Sequence, residues 1–133
     1  MLQISMYKSL LDSLKWFMTA IKRPIEFSGR SRRKEFWNYI FICTSATLIL
    51  SIIDITVGWY DSIGDVGVLS GVFLWLTFLP FISVSVRRLH DINKSGYWAT
   101  LYFLPIIGYI FILCLLLLDS DPNANRYGSP PRY

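Results

Sequence analysis

Residues 36–57 read FWNYIFICTSATLILSIIDITV. This stretch holds one ionisable residue of ordinary acid strength, Asp54, and that residue sits near its far end. At about 1.5 Å per helical residue, it covers a hydrocarbon core of about 30 Å. Phe36, Trp37 and Tyr39 open it, and Trp59 and Tyr60 follow it. Aromatic rings of that kind favour the two interfaces of a bilayer. The stretch is therefore predicted to be a transmembrane helix.

Two further apolar runs follow. Residues 66–86, VGVLSGVFLWLTFLPFISVSV, hold no charge. Pro80 lies inside this run and predicts a kink, because it cannot donate to the carbonyl of Leu76. Gly67 and Gly71 form a small-xxx-small pair, though both also lie where the helix begins. Residues 97–118, YWATLYFLPIIGYIFILCLLLL, form the third run, with Pro105 and Gly108 again predicting a kink. The links are GWYDSIGD at 58–65 and RRLHDINKSG at 87–96, and the tail is DSDPNANRYGSPPRY at 119–133.

Ahead of the first run, residues 4–21 are too polar to span. Ile4, Tyr7, Leu11, Leu14, Met18 and Ile21 recur at steps of three and four, one face of a helix. Beside a membrane anchor, that pattern predicts an amphipathic helix lying in the interface. Pro24 ends it, and Ser31 is the expected N-cap of the next helix. The first twenty residues lack an uninterrupted hydrophobic core, so an uncleaved anchor is expected. The fold expected is one all-α membrane domain of three transmembrane helices plus an N-terminal amphipathic helix.

Charge orients it. Of 133 residues, 53% are hydrophobic and 17% charged, below the roughly 25% of soluble domains. The net charge of +4 invites a nucleic-acid reading, but the cations sit in blocks outside the apolar runs, which is a membrane-orientation pattern. Eight Lys and Arg precede the first run, none lies in the first link, three lie in the second and two in the tail. With three spans, this alternation predicts a cytoplasmic N-terminus and a periplasmic tail. Cys43 and Cys114 lie at different depths and are expected to be free thiols. No metal-ligand spacing occurs, and no cofactor is expected.

The sharpest constellation is Arg87-Arg88-Leu89-His90-Asp91. Asp91 lies four residues from Arg87 and three from Arg88, so it pairs with one and leaves the other free. With Arg30, Arg32 and Arg33 this makes a basic cluster rimmed by aromatic residues. Guanidinium forks match phosphate oxygens, so the functional expectation is an anionic lipid headgroup or another phosphate. The simpler reading is a topology signal with an internal salt bridge. His90 has no nucleophile or second carboxylate beside it, so no catalytic residue is assigned and an enzyme is not expected. Asp54 is read as reaching water.

The stretch FSGRSRRKEFW, Phe27 to Trp37, resembles the F-x-G-R-x-x-R-x-E-F-W opening of a family of small bacterial inner-membrane proteins, the YhaH-like proteins of domain-of-unknown-function family 805. RRLHDINKSGYW, Arg87 to Trp98, resembles that family's R-R-L-H-D-x-x-x-S-G-W-W signature, with Tyr97 for the usual tryptophan. NRYGSPP resembles its closing N-x-[FY]-G-x-x-P. The resemblance singles out Gly29, Arg30, Arg33, Glu35 and Trp37, then Arg87, Arg88, His90, Asp91, Ser95, Gly96 and Trp98, then Asn125 and Gly128. Arg32 is not a motif position, so charge alone places it in the cluster. The resemblance implies a bacterial inner-membrane location and two cytoplasmic motifs that act together, and it implies no activity.

The leading function expected is a non-enzymatic membrane protein whose cytoplasmic Arg/His/Asp cluster binds anionic lipid or a phosphate-bearing ligand. One alternative is an accessory or immunity-type subunit docking on a larger membrane protein, which predicts a co-purifying partner. A second is a small oligomeric transporter or channel, for which Ser45, Thr47, Ser51, Ser83 and Ser85 offer few polar groups. A homo-oligomer is compatible with each reading.

Overall fold

The computed structural model describes residues 2–61 and 66–131, with side chains at 2–6 and 61 excepted. Four α-helices carry the fold: α1 (Leu2–Ile21), α2 (Arg33–Val57), α3 (Val68–Asp91) and α4 (Ile107–Leu117). A 3-10 helix, Gly96–Phe103, precedes α4. A two-residue antiparallel ribbon joins α2 to α3, pairing β1 (Tyr60–Asp61) with β2 (Val66–Gly67). Most of the expected acidic link, 62–65, lies outside the described residues, as do Arg132 and Tyr133.

Among the described residues, α2 and α3 are the two helices long and apolar enough to cross a membrane. They run antiparallel, and each end of the pair is tied by a buried carboxylate. At the ribbon end, Asp54 of α2 accepts the backbone N–H of Leu69 at 3.0 Å and that of Ser70 at 2.9 Å. These are orphan donors of the first turn of α3, whose own N-cap, Gly67, has no side chain to offer. Asp54 is thus fully buried and does not reach water as expected. A Cβ on Gly67 would lie 2.1 Å from the Asp54 carboxylate, while one on Gly71 would meet Val66 Cγ1 at 3.3 Å. The two glycines serve the start of α3.

α3 runs unbroken through Pro80. The Tyr39 hydroxyl donates to the carbonyl of Thr77 at 2.6 Å, in the turn that the proline loosens. α1 is a helix as expected. Its last turn packs on the bundle through Phe17, Ala20 and Ile21, with Phe17 stacked on Tyr39 at 5.7 Å. The rest of its stripe, Tyr7, Leu11, Leu14 and Met18, stands exposed. The Ser83 hydroxyl lies 2.9 Å from the Arg23 carbonyl and 2.7 Å from that of Glu26, which pins the connection to α2. The N-cap of α2 is Arg32, without a side-chain cap, and not Ser31. Ser31 is buried and gives its N–H to the carbonyl of Arg87 at 3.0 Å.

The expected third span is not one helix. The 3-10 helix ends at Phe103, and Ile106 takes φ 60 and ψ −69. Ile107 N–H then reaches the Pro105 carbonyl at 2.7 Å, which makes a γ-turn with a positive φ at its centre. The chain reverses there, where the sequence predicted only a kink. Trp98 stacks on Phe111 at 5.7 Å and Tyr102 packs on Tyr109 at 5.9 Å, the ring pairs of an antiparallel hairpin. A Cβ on Gly108 would lie 2.1 Å from the Leu101 carbonyl, so this residue lets the two arms touch.

The reversal also sets the position of the tail within the fold. Residues 119–131 return to the end of the bundle that holds the first basic block. Asp121 N–H donates to the Asp91 carbonyl at 3.0 Å, and Arg30 reaches the carbonyl of Asn123 at 2.8 Å. Both cysteines are free, as expected.

Candidate functional site

The polar end of the bundle gathers all three sequence motifs. Asp91, the last residue of α3, is fully buried. One carboxylate oxygen accepts Arg30 Nε at 2.9 Å and the other accepts Arg88 Nη1 at 2.5 Å. The expectation that one of Arg87 and Arg88 stays free is corrected: Arg87 Nη1 pairs with Glu35 of α2 at 3.0 Å, and both are buried. Helical spacing could not show this, because Glu35 arrives from another helix, 52 positions away.

Arg88 and Arg30 each do a second task. Arg88 Nε donates to the Leu116 carbonyl at 3.3 Å, and its Nη2 donates to that of Leu118. These carbonyls belong to the last turn of α4, where a helix leaves its acceptors unpaired and attracts cations. Arg30 holds the tail. Its Nη1 donates to the Asn123 and Gly128 carbonyls at 2.8 and 3.3 Å, and its Nη2 donates to those of Asp91 and Asp121. Arg32 and Arg33 grip the tail from outside, through the Pro131 carbonyl and the Asp119 carboxylate. The arginines therefore meet in one place, as the sequence suggested, but the donors of Arg30 and Arg88 are turned inward onto carboxylates and carbonyls. Arg87 Nε and Nη2, Ser31 Oγ and Trp37 Nε1 are buried without a partner among the described residues.

His90 stands at the edge of this network. Its Nδ1 lies 3.2 Å from the Gly29 carbonyl, and a carbonyl only accepts, so Nδ1 carries the proton. Its ring stacks on Tyr127 at 3.8 Å, with 6° between planes. The closing motif positions that tyrosine. Asn125 and Gly128 exchange both backbone hydrogen bonds at 3.1 and 3.0 Å, Gly128 takes φ 119, and Asn125 Nδ2 donates to the His90 carbonyl at 3.0 Å. Ser95 Oγ accepts Tyr97 N–H at 3.4 Å and caps the 3-10 helix. A Cβ on Gly96 would come within 2.8 Å of Val86 Cγ1, so Gly96 lets that helix lie close along α3. Trp37 packs edge-on against Phe36 at 5.3 Å, and Trp98 joins the hairpin stack. Neither reaches the cluster.

Between α3 and the 3-10 helix runs an apolar groove of about 620 Å³. Phe27, His90, Ser95 and Tyr127 line its polar end, and Phe78, Leu79, Ile82 and Phe103 line its deep end. Sequence reasoning did not find it. Tyr127 and Phe27 carried the signal as motif aromatics, but nothing local says that they face one cavity. Lys94, beside Ser95, is exposed. Arg126 is exposed too, its guanidinium 5.0 Å above the Tyr127 ring. Among the described residues, no His, Cys, Asp and Glu group suited to a metal ion occurs.

The model of a family described as "Protein of unknown function (DUF805)" matches residues 24–129. Two curated proteins of Escherichia coli strain K12 are similar over most of their length. Inner membrane protein YhaI is 35% identical over 120 residues, 90% of this chain and 98% of its own. Inner membrane protein YhaH is 35% identical over 119 residues, again 90% and 98%. The uncharacterized protein YiiR of the same strain is 29% identical over 101 residues, 71% of this chain and 59% of its own. No solved structure matches.

Proposed function

The chain belongs to the DUF805 family of inner membrane proteins, and from that premise we propose that it is a non-enzymatic protein of the bacterial inner membrane that binds an anionic phospholipid. The acyl chain lies in the groove between α3 and the 3-10 helix. The phosphate sits at the groove mouth, within reach of Lys94 and Arg126. The single observation that carries this reading is the convergence of all three motifs on that mouth: Phe27 from the first, His90 and Ser95 from the second, Tyr127 from the third. An apolar trough ending among exposed cations matches a molecule with an apolar tail and an anionic head.

In this reading Arg30, Arg87 and Arg88 are the frame of the site. Each is already paired, Arg30 and Arg88 with the two oxygens of Asp91 and Arg87 with Glu35. α1 lies in the interface, with Tyr7, Leu11, Leu14 and Met18 in the acyl boundary. The N-terminus is cytoplasmic, since the link between α2 and α3 holds no Lys or Arg and all thirteen lie outside it.

Native mass spectrometry of protein extracted gently from its own membrane tests the lipid. The expected result is retained phosphatidylglycerol or cardiolipin, reduced severalfold in the Lys94→Ala/Arg126→Ala variant. Equal retention by that variant, or no lipid on the native chain, would overturn the reading.

A further inference from the structure

The apolar segment 96–118 reads by hydropathy as a third crossing, yet both of its ends lie beside the C-terminal end of α3. At its start, Gly96 packs on Val86 and His90. At its finish, Arg88 binds the carbonyls of Leu116 and Leu118. In between, Tyr102 reaches only as far as Ser85, 3.2 Å between hydroxyls, and Phe81, 5.0 Å between rings. The 3-10 arm of eight residues is about 16 Å long at 2.0 Å per residue. The α4 arm of eleven residues is also about 16 Å long at 1.5 Å per residue. Each arm matches half of a hydrocarbon core of about 30 Å.

We propose that residues 96–118 form a re-entrant hairpin that fills one leaflet, with its turn at 104–106 near the bilayer midplane and the tail on the same side as the first basic block. The partner of its surface is the acyl interior of that leaflet. Phe103, Ile106 and Ile107 are each more than 70% exposed, and together with Leu104 and Pro105 they form a tip without a polar side chain. The turn is suited to hydrocarbon, where an unpaired backbone group is costly. Leu104 N–H bonds to Leu101, Ile107 N–H bonds to Pro105, and Pro105 has no N–H to satisfy, so of residues 104–107 only Ile106 N–H lacks a backbone partner among the described residues. The positive φ of Ile106 is the strain accepted for so short a reversal. Placing the hairpin does not depend on whether a lipid fills the groove.

Single-cysteine labelling of the full chain in a Cys43→Ser/Cys114→Ser background tests this. Lys94→Cys and Ala124→Cys should both react with a membrane-impermeant maleimide in inverted vesicles, and neither should react in intact spheroplasts. A nitroxide on Ile107→Cys should be relaxed by oxygen and shielded from a water-soluble nickel complex. Labelling of Lys94→Cys from one side and of Ala124→Cys from the other would make 96–118 a full crossing and overturn the proposal. So would a water-exposed Ile107→Cys. Should a cysteine variant fail to insert, a C-terminal reporter pair decides the side: a fluorescent protein that folds only inside supports the hairpin, and an active alkaline phosphatase refutes it.

Discussion

Asp91 accepts Arg30 at 2.9 Å across 61 positions of sequence, with both side chains buried. This contact joins the loop before α2 to the end of α3, and through the other bonds of Arg30 it holds the tail. Asp91→Ala would leave Arg30 and Arg88 buried without their anion. Removing one partner of a buried pair costs about 3–5 kcal/mol. The expected outcome is a large fall in thermal stability in detergent, with cleavage of residues 119–131 at low protease concentration while α2 and α3 persist.

The contact between Arg33 and Asp119 offers the contrast. Asp119 is 91% exposed and Arg33 43%, so water screens the pair. Exposed pairs contribute about 0–1 kcal/mol. Asp119→Asn should leave the melting temperature and the protease pattern near those of the native chain. A loss comparable to that of Asp91→Ala would show that the tail depends on its outer grip as well.

Arg87 and Glu35 invite a double-mutant cycle. Arg87→Met takes a buried cation from the Glu35 carboxylate, and Glu35→Gln takes the anion from the guanidinium, so each single change should destabilise by several kcal/mol. Glu35→Gln/Arg87→Met removes both charges and should recover part of that loss, giving a coupling of about 1–3 kcal/mol. Additive losses in chemical or thermal unfolding would mean that the two side chains act separately.

Two glycines four residues apart should differ sharply. Gly67→Ala drives a methyl into the Asp54 carboxylate, and Gly71→Ala meets only Val66 Cγ1. The first should cost about 1–3 kcal/mol by overpacking and should loosen the ribbon end, as read by hydrogen exchange at Leu69 and Ser70. The second should be tolerated. If the pair were a helix-packing motif, the two would behave alike.

Gly108→Ala places a methyl against the Leu101 carbonyl and should separate the arms of the hairpin. The expected readout is a change in Trp98 fluorescence as its stack with Phe111 opens. The Asp91 network should stay intact, since Arg88 binds α4 more than two turns beyond, at Leu116 and Leu118.

Local hydropathy and its periodicity were enough to give the sequence its membrane character and the helices α1, α2 and α3. These follow from runs of side chains that must leave water, a property written along the chain residue by residue. The motifs also marked the residues that meet at the polar end, because Arg88 and Asp91 are one helical turn apart. What lay beyond the sequence was which charges meet across the fold. Glu35 takes Arg87, Arg30 takes the second oxygen of Asp91, and Asp54 turns from water to cap α3. A carboxylate's partner is set by tertiary approach, and nothing in its own neighbourhood encodes that approach.

The third apolar run marks the boundary between the two kinds of information. An uncharged, largely apolar run of twenty-two residues satisfies hydrocarbon equally well as one crossing or as two half-length arms, so the sequence determined only that residues 97–118 shun water. The tertiary structure decided that they turn back. Gly108 allows the arms to touch, and the guanidinium of Arg88 holds the last carbonyls of α4 at the end where the segment began.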